Sequence, residues 1–326
     1  MNRISVTPEI SVVIPIRNEA ASLVELHREL TESLTTMGRP YEILIIDDGS
    51  TDESFSILSR LQALDPHLRV IRFRRNFGQT PAFAAGFDYA RGRIIVTSDG
   101  DLQNDPRDIP TLVGMLDQGY DIVCGWRKDR KDAFLSRRVP SMMANRLISL
   151  AIGVKLHDYG CSLKVFRAEV VKPLKLYGEM HRFLPAIASE QTSSIGEMVV
   201  NHRPRKYGQS KYGIGRTVRV ILDLLTVKFL LSYSTRPLQI FGLIGIAMGL
   251  LGSAAVSWLA YLKLSGESIA NRPLLLFGIL LMFTGLQLVT LGLLAELQVR
   301  TYHESQKKVT YVIREVLERP SRADIV

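Results

Sequence analysis

Residues 94 to 106 read Ile-Ile-Val-Thr-Ser-Asp-Gly-Asp-Leu-Gln-Asn-Asp-Pro, an apolar β-branched run that ends in the carboxylates Asp99, Asp101 and Asp105. The run has the composition of a buried strand. Pro106 suits the first position of a helix and Asp105 suits its cap. Asp99 and Asp101 admit two readings, a polar turn or a pair of hard oxygen ligands reaching one divalent cation. Asp-x-Asp is common by chance, so the neighbouring strands must decide between them.

The neighbours repeat the pattern. Ile10 to Ile16, Glu42 to Ile46, Arg69 to Phe73 and Asp121 to Cys124 also read as strands, and residues 19 to 37, 52 to 64, 79 to 91 and 107 to 118 read as helices. Nearly all-apolar strands spaced by helices predict an α/β fold with a mostly parallel sheet covered on both faces. Ligands in such sheets lie beyond the carboxyl ends of the strands, where strand order reverses. Four successive strand ends here are polar: Pro15-Ile16-Arg17-Asn18-Glu19, Asp47-Asp48-Gly49-Ser50-Thr51-Asp52, Arg74-Arg75-Asn76-Phe77-Gly78-Gln79, and the opening stretch. Capping explains one residue of the second, not six. The coincidence favours the cation reading of Asp99 and Asp101.

The 326 residues carry a net charge of +9, which points to an anionic partner without saying which. Two cysteines, Cys124 and Cys161, make no disulfide framework, and no Cys/His spacing suits zinc. A reducing compartment fits, and the N-terminus shows no signal-peptide pattern. No Gly-x-Gly-x-x-Gly follows the first strand and no Gly-Lys-Ser/Thr loop occurs, which excludes a dinucleotide dehydrogenase and a P-loop enzyme.

The last third is more specific. Pro237 to Leu262 and Pro273 to Ala295 contain no charged residue. Each run exceeds the roughly 20 apolar residues that cross about 30 Å of hydrocarbon. Their short link, Lys263 to Arg272, predicts a transmembrane hairpin with both flanks on one side, and Trp258 and Tyr261 sit near one end as interfacial anchors. Arg216, Arg219, Lys228 and Arg236 precede the pair, and Arg300, Lys307 and Lys308 follow it, so the positive-inside rule puts both flanks in the cytoplasm. Residues 134 to 152 and 214 to 235 mix arginines with apolar faces, as helices in the membrane interface do. Packing against the soluble core is the other reading of the first. The spacing of Gly242, Gly245, Gly249 and Gly252 suits close helix packing, in a homo-oligomer or within the hairpin alone.

The chain resembles the family 2 glycosyltransferases of the GT-A fold, in the polyprenyl-phosphate branch related to dolichyl-phosphate mannose synthase and bacterial undecaprenyl-phosphate glucosyltransferases. The motifs are Val-Val-Ile-Pro-Ile-Arg-Asn-Glu at 12 to 19, Asp-Asp-Gly-Ser-Thr-Asp at 47 to 52, Asp-Gly-Asp-Leu-Gln-Asn-Asp-Pro at 99 to 106, Asp-Tyr-Gly-Cys-Ser-Leu-Lys at 158 to 164, and Arg-Lys-Tyr-Gly-Gln-Ser-Lys-Tyr at 205 to 212. Gly100 and Asp105 depart from the residues usual there.

The resemblance implies a UDP-sugar held by Pro15, Asn18, Glu19, Asp47, Asp48, Asn76, Gly78, Asp99 and Gln103. It implies Mg²⁺ or Mn²⁺ on Asp99 and Asp101, catalytic roles for Asp158 and Asp101, and an acceptor phosphate held by Arg127, Arg203, Arg205, Ser210 and Lys211. For Asp47 a turn role stands beside nucleotide contact, and for Arg203 a solvated basic loop stands beside phosphate binding. Asp158 is a base or an orienting group, because a phosphate monoester with a second pKa of about 6 is mostly dianionic at neutral pH.

The implied reaction is inverting transfer of a hexose to undecaprenyl or another polyprenyl phosphate, at the cytoplasmic face of a bacterial inner membrane, for cell-envelope glycosylation such as O-antigen modification. Glucose from UDP-glucose comes first, and 4-formamido-arabinose or mannose second. The implied organisation is a catalytic domain at 1 to 213, a juxtamembrane helix at 214 to 235, a hairpin at 236 to 298 and a cytoplasmic tail at 299 to 326. Membrane lipids are expected partners and nucleic acid is not. A processive synthase is disfavoured because no Gln-x-x-Arg-Trp occurs. A catalytically silent scaffold has no physical need for Asp99, Asp101, Asp158 and Arg205.

Overall fold

Apolar strands need neighbours in the sheet and helices over both faces, and the N-terminal half of the chain supplies both in alternation. The structure is a computed structural model that describes residues 7–128, 154, 156–176, 180–189, 191–204, 206–207, 237–268, 272–305 and 310–318, without the side chains of 237–240 and 296–305. Strands β1 (Ile10–Ile16), β2 (Tyr41–Asp47), β3 (Leu68–Phe73) and β4 (Ile94–Thr97) are buried along almost their whole length. Helices α1 (Leu23–Thr36), α2 (Ser54–Leu64) and α3 (Gln79–Tyr89) connect them, and α4 (Ile109–Asp117) follows a 3₁₀ turn at Pro106–Asp108. These elements stand where the apolar periodicity predicts them. The exception is α1, which starts at Leu23 rather than near residue 19 because residues 18 to 20 bond to the loop after β2.

The remaining strands make the sheet mixed. β5 (Ile122–Trp126), β6 (Lys164–Arg167), β7 (Ile195–Val199) and β8 (Ile313–Leu317) complete the order β7-β5-β6-β4-β1-β2-β3-β8. β1 pairs parallel with β2 and β4, β2 with β3, and β5 with β7. β6 runs antiparallel to β4 and β5, and β8 antiparallel to β3. The short helices α5 (Ala168–Val171) and α6 (Leu184–Ala188) lie between β6 and β7, with a 3₁₀ turn at Met180–Phe183 before α6.

Strand order reverses between β1 and β4, since the chain adds β2 and β3 on one side of β1 and then returns to the other. A ligand crevice belongs beyond the carboxyl ends of those two strands. Backbone strain marks the same place. Among the described residues, the non-glycine residues with left-handed φ are Asn18 (56°) and Leu102 (62°), just past the ends of β1 and β4. Such conformations cost about 1–3 kcal/mol and persist only where their surroundings enforce them. Gly49 is required at the end of β2 for a related reason: its φ is 65°, and a Cβ there would lie 2.5 Å from the carbonyl carbon of Arg75.

The chain divides into two compact units, residues 1–227 with 309–326, and residues 228–308. In the second, α7 (Pro237–Leu264) and α8 (Pro273–Ser305) contain the apolar segments Phe241–Leu264 and Pro273–Ala295, each long enough to cross a membrane. Leu250, Leu276 and Phe283 are 66%, 75% and 63% exposed, so these are not the buried core helices of a soluble domain. The glycine spacing works inside the hairpin: a Cβ on Gly245 would lie 2.5 Å from the Gly285 carbonyl oxygen, and one on Gly252 would lie 2.6 Å from that of Gly278. The segment after the hairpin, expected as a cytoplasmic tail, contributes β8 to the first unit. The interfacial helices expected at 134 to 152 and 214 to 235 lie outside the described residues.

Candidate functional site

The loops beyond β1 and β2 are held by each other. Asn18 N donates to Ser50 Oγ at 2.9 Å, Thr51 N to Asn18 Oδ1 at 2.8 Å, and Glu19 N to Ser54 Oγ at 3.0 Å. This accounts for the surplus of hydroxyl residues after β2. Asp47 is completely buried, accepts from Ser50 N at 2.9 Å and faces Arg72 Nε at 3.6 Å. These contacts place Asp47 in the turn role that was one of its two expected readings. Pro15 is buried within β1 opposite Ile46. Asn18 is exposed and Glu19 half-buried.

Asp48, Asn76 and Gly78, all expected at the nucleotide, form one bonded unit. The Asp48 carboxylate accepts from Phe77 N at 2.7 Å, Gly78 N at 2.9 Å and Asn76 Nδ2 at 2.5 Å. Burial raises the Asp48 pKa, and the two amides act against that rise without cancelling it. The unit shapes the loop between β3 and α3.

Asp99, beyond β4, is fixed by Gln79 Nε2 on Oδ1 at 2.8 Å and by Ser162 Oγ on Oδ2 at 2.6 Å. Both donors are neutral, so they orient the carboxylate without offsetting its charge. Asp101 Oδ1 accepts from Gln103 N at 3.2 Å. Among the described residues no third His, Cys, Asp or Glu joins them in a metal cluster. Two carboxylates with the rest of the shell left to phosphate oxygens and water is how Mg²⁺ is usually held, and Asp99 and Asp101 fit Mg²⁺ or Mn²⁺ on that chemistry.

Ser162 closes a loop that begins at a second cluster. Asp158 is 3% exposed and accepts from Arg127 twice, Nε on Oδ2 at 2.7 Å and Nη2 on Oδ1 at 3.0 Å, and from Gly160 N at 3.1 Å. Burial opposes the Arg127 charge, but Asp158 outweighs it and holds the guanidinium pKa above its usual value, with Asp99 adding in the same direction. Asp158 was expected as a base or an orienting group, and this bidentate pair has the geometry of holding the guanidinium in place. Glu197 on β7 holds the pair's backbone in turn, accepting from His157 N at 2.9 Å and Asp158 N at 3.0 Å, while His157 stacks on Trp126 at 4.2 Å. Glu197, Gln79 and Ser162 were not singled out from sequence. A lone acid in a short strand and two neutral polar side chains were too weak a signal.

Arg203, expected at the acceptor phosphate or in a solvated basic loop, is placed among carboxylates. Its guanidinium pairs with Glu29 and Asp105, both at 2.7 Å. Asp105 also caps Arg107 N at 3.1 Å and accepts from Asn201 Nδ2 at 2.9 Å. Burial pushes the Asp105 pKa up, and these donors outweigh it and hold the carboxyl below its usual range. With Arg203 N on Gln103 O at 2.9 Å and a bridge between Asn104 and His202, this network lays residues 201–203 alongside the Asp99–Asn104 loop. Arg205, Ser210 and Lys211, expected at the acceptor phosphate, lie outside the described residues.

A mixed, mostly parallel α/β sheet with acidic loops beyond the carboxyl ends of its central strands is a fold of the GT-A type. The chain belongs to glycosyl transferase family 2, whose model matches residues 11–174, and it is a glycosyltransferase. It is 45% identical over 320 residues to the dodecaprenyl-phosphate galacturonate synthase of Rhizobium johnstonii, covering 97% of this chain and 95% of that one. It is 37% identical over 318 residues to the undecaprenyl-phosphate 4-deoxy-4-formamido-L-arabinose transferase of Klebsiella pneumoniae, with the same coverage of 97% and 95%. The fold resembles glucosyl-3-phosphoglycerate synthase from Mycobacterium tuberculosis, solved with Mn²⁺ and UDP-glucose, with a TM-score of 0.52 at 20% identity over 69% of this chain and 79% of that one.

Proposed function

We propose that the protein transfers a sugar from a nucleotide donor to a polyprenyl phosphate at the cytoplasmic face of a bacterial inner membrane. One arrangement carries the reading: Asp99, held by Ser162, lies close enough to the Arg127–Asp158 pair to act on the Arg127 charge, in a chain that also holds two membrane-length apolar helices. The relatives' names supply the acceptor class. They also redirect the donor, since galacturonate and 4-deoxy-4-formamido-L-arabinose stand in place of glucose, and the alternative-sugar expectation is the closer one. Galacturonate comes first because it belongs to the relative at 45% identity.

The acceptor phosphate oxygen attacks the anomeric carbon in line, the bond to the nucleoside diphosphate breaks, and the diphosphate leaves with the electron pair. Configuration at the anomeric carbon inverts. A Mg²⁺ or Mn²⁺ on Asp99 and Asp101 would neutralise charge growing on the departing diphosphate. Arg127, held by Asp158, keeps a fixed positive charge beside the crevice for the acceptor phosphate, which needs no strong base because it is already mostly dianionic. Strand β8 supports the topology: the chain leaves the first unit for the apolar hairpin and returns to pair with β3, so both flanks lie on one side.

The test incubates purified protein with undecaprenyl phosphate, Mg²⁺ and a panel of UDP-sugars, and identifies the lipid product by mass. A galacturonosyl lipid phosphate is expected. Product from UDP-glucose alone overturns the donor assignment, and the absence of any lipid-linked product overturns the reading.

A further inference from the structure

The loop that bonds to Asp48 is held at its start, and the helix after it near its far end, by a segment from beyond the apolar hairpin. Tyr311 is buried and stacks on Phe73, the last residue of β3, with centroids 5.3 Å apart and planes 9° apart. Phe73 meets Phe77 of the loop edge-on at 5.7 Å. Arg74 N, at the start of the loop, donates to Val312 O at 3.0 Å. Beyond the loop, α3 is tied to the same segment, because Tyr311 Oη donates to Asp88 Oδ2 at 2.8 Å. Arg72 Nη1 donates to Glu315 at 3.1 Å while Arg72 Nε faces the buried Asp47, and the β3–β8 register shifts between Arg72 and Phe73. Such a bulge re-aims the end of a strand. At the far end of β8, Glu318 accepts from Arg69 at 2.8 Å and Arg91 at 2.9 Å, which fixes the strand lengthwise.

We propose that Tyr311 and strand β8 are positioning elements of the donor site: they set the end of β3, and through it the loop of Asn76, Phe77 and Gly78 on Asp48. The segment that follows the hairpin is then part of the nucleotide-binding machinery. The inference rests on reading the β1–β4 crevice as a nucleotide site, and its test separates the two.

In the full-length protein, amide hydrogen exchange at Phe77 and Gly78 is followed without ligand, and UDP affinity is measured by calorimetry. Tyr311→Ala is expected to speed exchange at both amides about tenfold and to weaken UDP about tenfold, the scale of one aromatic stack and one hydrogen bond. The KM for the lipid acceptor and kcat should stay within about twofold, because the change is confined to the donor loop. Tyr311→Phe keeps the stack and loses only the Asp88 bond, so it should recover most of both effects. Should the alanine variant fail to fold, Glu315→Gln, which weakens the Arg72 contact and leaves the Tyr311 stack in place, is expected to change exchange and UDP affinity in the same direction by a smaller factor. Unchanged exchange at Phe77 and Gly78 in the folded variants overturns the inference. No saturable UDP binding by the unaltered protein overturns the nucleotide reading instead, and the exchange result still decides the role of Tyr311.

Discussion

Asp99 and Asp158 are both carboxylates close enough to act on the Arg127 charge, and their partners give them opposite work. Neutral donors hold Asp99, so Asp99→Asn keeps the loop's shape while removing charge from the proposed metal–diphosphate position. Turnover is expected to fall by about 10²–10³, the scale of losing one fixed electrostatic contact in a closed site, with an unchanged melting temperature. An equal loss of stability and activity would assign Asp99 to structure. Asp158 is buried against an arginine, so Asp158→Asn strands the Arg127 charge and is expected to cost about 3–5 kcal/mol of stability. The double variant Arg127→Met with Asp158→Leu should regain most of that stability in urea titrations and none of the activity. If it regains neither, the pair is needed for folding in a way that burial does not explain. The position of the Asp-x-Asp beyond the carboxyl end of β4 was legible in the sequence, because the apolar run before it ends abruptly at Thr97. What could not be read is which way each acid turns: Asp47 and Asp48 are adjacent, yet one points at Arg72 and the other at loop amides.

Strands and helices with one clear periodicity were the readable elements, and those held by distant partners were not. β1 to β4 are apolar runs that announce themselves. β6 and β7 are short and carry Lys164, Arg167 and Glu197, and β8 alternates Ile313, Glu315 and Leu317 with Arg314 and Val316 in a segment that looks like a polar tail. Their pairing depends on partners remote in sequence, Arg72 with Glu315 for one, and local pattern holds no record of it. The hairpin shows the reverse case, where spacing was legible but not its use. A side chain at Gly245 must enter the Gly285 backbone, whereas one at Gly249 meets nothing within 4 Å. Gly245→Leu is therefore expected to lower the thermal stability of the detergent-solubilised protein by overpacking, on the order of 1–3 kcal/mol, and Gly249→Ala to leave it unchanged. Equal effects at both positions would show that the helices do not pack through Gly245.

For the molecule as a whole, the sheet has a functional end and a structural end, and acid should act on the second. Glu9 sits just before β1, opposite the crevice. Its carboxylate accepts from Arg39 Nη2 at 2.7 Å and Nε at 3.0 Å and from Arg93, while Arg39 reaches Asp117 at the end of α4 at 2.7 Å. The hydrogen bonds from Arg39 first, then Arg93, lower the Glu9 pKa from 4.5 to about 2. A carboxylate depressed on folding stabilises the native state fully above its unfolded pKa, and that stabilisation is lost as pH falls through the folded value. The Glu9 contribution should thus be constant above about pH 5 and should fade between pH 4.5 and about 2. The measurement is the urea midpoint of the protein against Glu9→Gln, taken from pH 7 down to 3. A gap that is wide at neutral pH and narrows in acid is expected, and a gap independent of pH would mean that Glu9 acts through packing rather than charge. Because Glu9, Arg39 and Arg93 all lie away from the crevice, Glu9→Gln should leave the KM for the nucleotide sugar unchanged at pH 7, separating the end of the sheet that holds the fold from the end that holds the chemistry.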